Sequence, residues 1–147
     1  NAFALPGGTV VFTDEMVRLA EADEELIAVL AHEAGHVAHR HGLQRVIQDS
    51  LLAFALMAVT GDASSTSQLF LGLPVMLTEM AYSRDFEREA DRYALETLAV
   101  RGIPARHFAD LMRRLSPPEA GGGGRWSNYL STHPAMSERL RDFDSGD

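Results

Sequence analysis

His32-Glu33-Ala34-Gly35-His36 restricts this chain more than any other run of five residues. On a helix, histidines four apart lie about 40° from each other and one turn along the axis, so both imidazoles can reach one cation. Glu33 is rotated to the flank. A carboxylate there can take the proton of a water activated at that cation without itself being a ligand. The flanking sequence predicts the helix. Asp23 is its expected cap, with Glu24 and Glu25 at the positive end of the helix dipole. Leu26, Ile27, Leu30, Ala31, Ala34 and Val37 supply an apolar stripe, and Gly42 lies near the expected end.

The donor set is narrowed by what is missing. Among 147 residues there is no cysteine, which removes disulfides, thiol nucleophiles and thiolate ligands together. A cation must then sit on His, Asp or Glu, which points to zinc or another imidazole-accepting ion. A net charge of −8 argues against nucleic-acid binding, because phosphates need a basic surface. At 46% hydrophobic, the length fits one domain, residues 1–147, around one core.

The rest of the chain reads as mainly helical with a small sheet. Thr9-Val10-Val11-Phe12, after Pro6-Gly7-Gly8, is a β-branched and aromatic run and predicts a strand. Thr13 and Asp14 are N-cap candidates for a short helix through Ala20. Leu51–Val59 predicts a buried helix, too short to cross a bilayer that needs about 20 residues. Ala63–Gln68 is loop-like, and Leu69–Leu77 is a second apolar segment. Val75–Val100 predicts a long helix, Pro104 opens one that runs on through His107–Leu115, and Pro134–Phe143 predicts a last helix before a frayed tail, Asp144–Asp147. Pro117-Pro118 and Gly121–Gly124 read as a flexible connection. The start at Asn1, directly in strand-like sequence, predicts a fragment of a longer protein whose targeting and anchoring segments lie outside it.

Two histidines leave a cation under-coordinated. His39 has nearly the angular position of His32 but lies about 10 Å along the axis, too far for ligand bonds near 2 Å to one ion. The spacing H-E-x-x-H-x-x-G-x-x-H also fails, because position 39 is His and position 42 is Gly. His39 and His41 are therefore expected at the surface or supporting the ligands. In Ser83-Arg84-Asp85-Phe86-Glu87-Arg88-Glu89-Ala90-Asp91, Glu87 and Asp91 share one helix face. Glu87 can complete a His₂Glu set, and Asp91 can accept a hydrogen bond from the far nitrogen of a ligating imidazole. Glu89 points roughly the opposite way and fits solvent. Alone this segment would read as an ordinary charged helix surface; beside H-E-x-x-H it does not.

These residues resemble the zinc peptidases of the HtpX, BepA and CAAX prenyl protease type, metallopeptidase family forty-eight, which are gluzincins. The likeness covers Ala31–Val37, Tyr82-Ser83-Arg84 with Glu87–Asp91, Ser131-Thr132-His133-Pro134 followed by Arg139, and Asn1–Gly8 upstream. The blocks keep the family's order nearly end to end.

The resemblance implies an α+β, predominantly helical, zincin-like catalytic domain holding one zinc ion. It implies His32, His36 and Glu87 as ligands, Glu33 as base, and His133 and Arg139 near the reacting carbonyl, where an oxyanion needs preorganised donors. From its chemistry, His133 could also swing in as a fourth ligand and close the site. Thr9–Phe12 would form the sheet edge beside the active-site helix and bind an extended polypeptide through backbone hydrogen bonds, favouring unfolded substrates. The integral-membrane branch carries several transmembrane helices and none is visible here, so prenylated-peptide processing fits poorly. The expectation is a zinc metalloendopeptidase in bacterial envelope protein quality control, periplasmic or membrane-associated through segments outside this chain.

Three other readings compete. Peptide deformylase shares H-E-x-x-H but needs a cysteine ligand, absent here. A chaperone-like binding module retaining zinc for structure would hold it in a closed shell of four ligands, whereas three are identifiable from the residues, together with a base that a structural site does not need. A purely structural interaction protein predicts that chelation changes neither activity nor stability.

Overall fold

The structure, a computed structural model, describes residues 1–61, 81–115, 127–134 and 136–144. The expected loop Ala63–Gln68, the apolar run Leu69–Leu77, Pro117-Pro118 and Gly121–Gly124 lie outside the described residues, as does the tail beyond Asp144.

Strands β1 (Ala2–Ala4) and β2 (Val10–Phe12) form an antiparallel pair with Ala2 opposite Phe12 and Ala4 opposite Val10. The chain reverses through Pro6-Gly7-Gly8. Gly8 adopts φ +89°, a left-handed conformation open to a residue without Cβ, and the turn is closed by Leu5 N–H donating to the Thr9 carbonyl at 2.8 Å. Thr13 then caps α1 (Asp14–Leu19), its side chain accepting from the Met16 N–H.

Helix α2 (Asp23–Ala38) is the central element, packed on the hairpin, on α4 (Arg84–Arg101) and on α5 (Arg106–Leu115). Helices α6 (Ser127–Thr132) and α7 (Met136–Asp144) complete the described set, α7 lying against α4 and α5. The core gathers Met16, Ala28, Val29, Ala94, Leu98, Phe108, Leu111, Met112 and Phe143, with the Phe108 and Phe143 rings stacked at 4.3 Å.

Several expectations need correction. The apolar stripe on α2 is out of phase: Ile27 and Leu30 are 37% and 44% exposed. The buried face carries Glu25, Ala28, Val29, Ala31, His32, Glu33, Gly35 and His36. A hydropathy pattern cannot find a core-facing helix surface made of ionisable groups. Asp23 is the first helical residue and not the cap, which is Ala22. The helix ends at Ala38, not near Gly42: Arg40 takes a left-handed conformation and α3 (His41–Thr60) starts at the next residue.

Leu51–Val59 is helical as expected but not buried. It is the second half of the 20-residue α3, in which only His41 and Ala53 are buried and Val59 is 86% exposed. Nor is it bounded as expected. Joined to its polar first half, α3 is long and apolar enough, by length and composition, to cross a membrane. Helix α4 begins at Arg84, because the Ser83 side chain caps it by accepting from Phe86 N–H; positions 75–80 lie outside the described residues. Helices α5 and α7 start two residues after the prolines expected to open them, Pro104 and Pro134.

Candidate metal centre

The site exists because two helix backbones touch. A Cβ on Gly35 would lie 2.8 Å from the Ala90 Cα and 2.9 Å from its carbonyl oxygen, so only glycine lets α2 approach α4 this closely. The contact sets the His32 and His36 face of α2 against the Glu87 and Asp91 face of α4. His133 arrives from the connection between α6 and α7, held by its N–H on the Tyr129 carbonyl at 2.9 Å and by Tyr82 N–H on the Thr132 carbonyl at 3.0 Å.

Four side chains then converge. His32 Nε2 lies 3.1 Å from His36 Nε2 and 3.4 Å from His133 Nδ1. Glu87 places Oε1 3.4 Å from His36 Nε2 and 3.0 Å from His133 Nδ1, and Oε2 3.7 Å from His32 Nε2. Every one of these residues is buried. Ligand atoms about 2.05 Å from a tetrahedral zinc ion would be ~3.3 Å apart, and the observed separations straddle that value. Three imidazole nitrogens and a carboxylate therefore fit one cation of zinc's preference, with no cysteine needed.

Further polar side chains surround this group. Asp91 Oδ1 sits 3.0 Å from His32 Nδ1, within reach but off the N–H axis, so that Nδ1 has no aligned hydrogen bond. Arg139 grips Asp91 with a fork, Nε to Oδ2 at 2.6 Å and Nη2 to Oδ1 at 2.6 Å, and its Nη1 donates to Glu87 Oε2. Tyr129, fully buried, stacks on the His133 ring at 4.3 Å and donates its hydroxyl to Glu33 Oε1 at 3.4 Å. Among the described residues, Glu33 Oε2 and His133 Nε2 are buried without a hydrogen-bond partner, the pattern left where a further polar group belongs.

The charges are set by the same contacts. Burial pushes the His36 imidazole down to about 2, keeping it in the neutral form a ligand requires. Burial alone would raise Glu87, but the facing His133, His36 and His32 outweigh it and hold the carboxyl well below its usual range. For His133, burial pulls downward, yet Glu87 and Glu33 prevail and raise it.

The residues singled out in the sequence distribute as follows. His32, His36, Glu87 and His133 are brought together, with Glu33 beside them: His133 Nε2 lies 3.4 Å from Glu33 Oε1. Asp91 stands behind His32. Arg139 faces the two α4 carboxylates, with its guanidinium engaged by them. Val10, Val11 and Phe12 form β2, which pairs along one edge with β1; among the described residues no strand lies on its other edge, and Thr9 sits in the turn.

Glu89 is exposed, as expected, and also brings its carboxylate 3.0 Å from His41 Nε2. His41 is fully buried against His36. Sequence reasoning gave no role to Tyr129, nor to the stacking of Tyr82 on His36 at 4.0 Å. Their signal is only that they are aromatic residues near site residues in sequence, which is weak without a fold.

A helix bearing H-E-x-x-H, a second supplying Glu and Asp one turn apart, and a buried four-donor cluster beside a glutamate define the metallopeptidase class of zincin-like domains. Comparison with known proteins identifies which one. The model of Peptidase family M48 matches residues 1–146, and the chain belongs to that family. It is 35% identical to metalloprotease LoiP of Escherichia coli (strain K12), covering all of this chain and 60% of LoiP. It is 34% identical to the mitochondrial metalloendopeptidase OMA1 of Arabidopsis thaliana, covering 96% of this chain and 28% of that protein. To the beta-barrel assembly-enhancing protease of E. coli (strain K12) it is 29% identical, covering 97% of this chain and 31% of that one. The chain thus spans only part of each of these relatives.

Proposed function

We propose that this domain hydrolyses internal peptide bonds of polypeptides, with one zinc ion held by His32, His36 and Glu87 and with Glu33 as general base. The observation that carries the reading is the convergence of donor atoms at tetrahedral spacing beside a buried carboxylate oxygen that lacks a partner among the described residues. When bound, the ion supplies Lewis-acid polarisation of a carbonyl and acidifies water. The chain's own residues do the rest. The Tyr129 hydroxyl fixes Glu33 through Oε1, which leaves Oε2 free to accept a proton from the attacking water and return it to the leaving amine. Asp91 orients His32, and Arg139 orients Asp91 and Glu87.

With His133 Nδ1 among the ligand atoms, we read this arrangement as the closed state. A catalytic zinc keeps one position open, so His133 would withdraw for substrate; its Nε2 already lies 3.4 Å from Glu33 Oε1 in this arrangement, and from that neighbourhood its imidazole can donate to an oxyanion. An inhibitor-bound, zinc-loaded structure in which His133 still ligates would refute this. The edge of β2 that carries no strand among the described residues suits an extended polypeptide, which supports unfolded or misfolded proteins as substrates. Bacterial envelope quality control, in the periplasm or at a membrane, is the setting that the bacterial relatives and the exposed apolar α3 support.

One observation favours a second reading: four protein ligands are what a structural zinc site shows. The Glu33→Gln variant separates the two. It should keep one zinc per chain by elemental analysis and cleave an unfolded substrate such as casein about 10²–10⁴-fold more slowly. Cleavage at the wild-type rate would sink the hydrolytic mechanism.

A further inference from the structure

We infer that His41, backed by Glu89, is the positioning residue that holds His36 in the one tautomer able to bind the cation, an inference resting on His36 being a ligand. The ring protons are placed by which nitrogen faces which partner, a matter of bookkeeping. His36 turns Nε2 toward His32 and Glu87. For that nitrogen to offer a lone pair, the ring proton must be on Nδ1. His36 Nδ1 lies 3.0 Å from His41 Nδ1, so His41 must accept there and carry its own proton on Nε2. That nitrogen lies 3.0 Å from Glu89 Oε2, an acceptor. Each link has one donor and one acceptor, and the chain ends on a carboxylate. His32 meets Asp91 directly; His36 reaches its carboxylate through an intervening imidazole.

Two further features show that His41 is held in place. Its ring is fully buried and stacks on Phe86 at 4.2 Å with 9° between planes. It reaches His36 only because the chain breaks after α2 and turns at Arg40, a non-glycine residue at φ 56°. Such a conformation is unfavourable for a residue with a Cβ and persists where the surroundings impose it. Continued as a helix, the chain would place His41 about 140° round from His36.

The same bookkeeping decides between this role and a second cation site. His39, His41 and Glu89 also cluster with ligand atoms within 4.8 Å of one another. A cation on His41 Nε2 would force the His41 proton onto Nδ1, facing the Nδ1 proton of a ligating His36. The two occupancies oppose each other, and the buried His36 site has the more complete donor set.

The test measures zinc affinity by chelator competition and the visible spectrum of the cobalt-substituted protein. His41→Phe keeps the ring on Phe86 but removes both hydrogen bonds; it should weaken zinc about 10–100-fold and change the cobalt spectrum. His41→Asn, which returns an acceptor near the Nδ1 position, should recover most of the affinity. Glu89→Ala should lose several-fold, and serves alone if His41→Phe does not fold. Wild-type affinity with an unchanged spectrum in folded His41→Phe or Glu89→Ala overturns the inference. So does a second zinc equivalent that Glu89→Ala abolishes. His36→Ala is the separate control: if it loses zinc while His41→Phe does not, only the positioning role fails, and if it retains zinc the ligand assignment falls and takes this role with it.

Discussion

Arg139 shows most clearly how a single side chain can serve structure and site at once. Its fork pairs with Asp91 and its remaining nitrogen with Glu87, all within a buried region. Arg139→Ala would strip two buried carboxylates of their guanidinium and leave them facing only imidazoles, and stability in urea should fall by about 3–5 kcal/mol. Arg139→Lys should recover only part, because an ammonium cannot reproduce the planar fork. A second, partly buried pair works far from the site. Glu25 accepts from Arg114 and from the Glu21 N–H at 2.9 Å. Burial would raise the Glu25 carboxyl, but the Arg114 hydrogen bond prevails and lowers it below its ordinary 4.5. A folded value below the unfolded one means stabilisation present above pH 4.5 and lost as the pH falls through the folded value. The stability gap between wild type and Glu25→Gln should thus be widest near neutrality and narrow in acid. A gap that widens in acid would contradict the assignment.

At the scale of elements, the contact between α2 and α4 decides whether there is a site. The obstacle to a side chain at position 35 is the Ala90 Cα and carbonyl, with Tyr93 Cβ at 3.2 Å, none of them a flexible tip. Gly35→Ala should force the helices apart, cost about 1–3 kcal/mol on thermal denaturation, and weaken metal binding, because the ligands come from both helices. Adding Ala90→Gly should not rescue it, since the clash is with backbone. Helix α3 teaches the opposite lesson. Its helical character is legible in its residues, yet hydrophobicity alone gave its burial wrongly, with Leu51, Leu52 and Phe54 at the surface.

For the whole molecule, the four converging side chains come from α2, α4 and the connection between α6 and α7, with His32 and His133 101 residues apart in sequence. A cation bound there ties these elements together in the folded state only. Loading at about 100 times the dissociation constant should add ~2.7 kcal/mol of stability. Chelation should therefore lower the melting temperature, and added zinc should restore it. An unchanged melting temperature on full removal of the metal, verified by elemental analysis, would mean that these residues do not jointly hold it.

Much of the centre was legible in the chain itself. Four-residue spacing on a helix puts His32 beside His36, and Glu87 in register with Asp91, whatever surrounds them, because helix geometry is local. The strand ending at Phe12, the Thr13 cap and the helical character of α2 and α3 follow from the same local rules; the start of α4 at the Ser83 cap does not, since the helix was expected to run on from Val75. Sequence could not show that the ionisable face of α2 points inward, since burial depends on what packs against it and the usual signal is apolar. It could not show that Arg40 breaks the chain and turns His41 back under His36, that Glu89 follows it, or that Arg139 faces two carboxylates. Those facts depend on the distance between helix axes, and Gly35 against Ala90 sets that distance only once both helices exist.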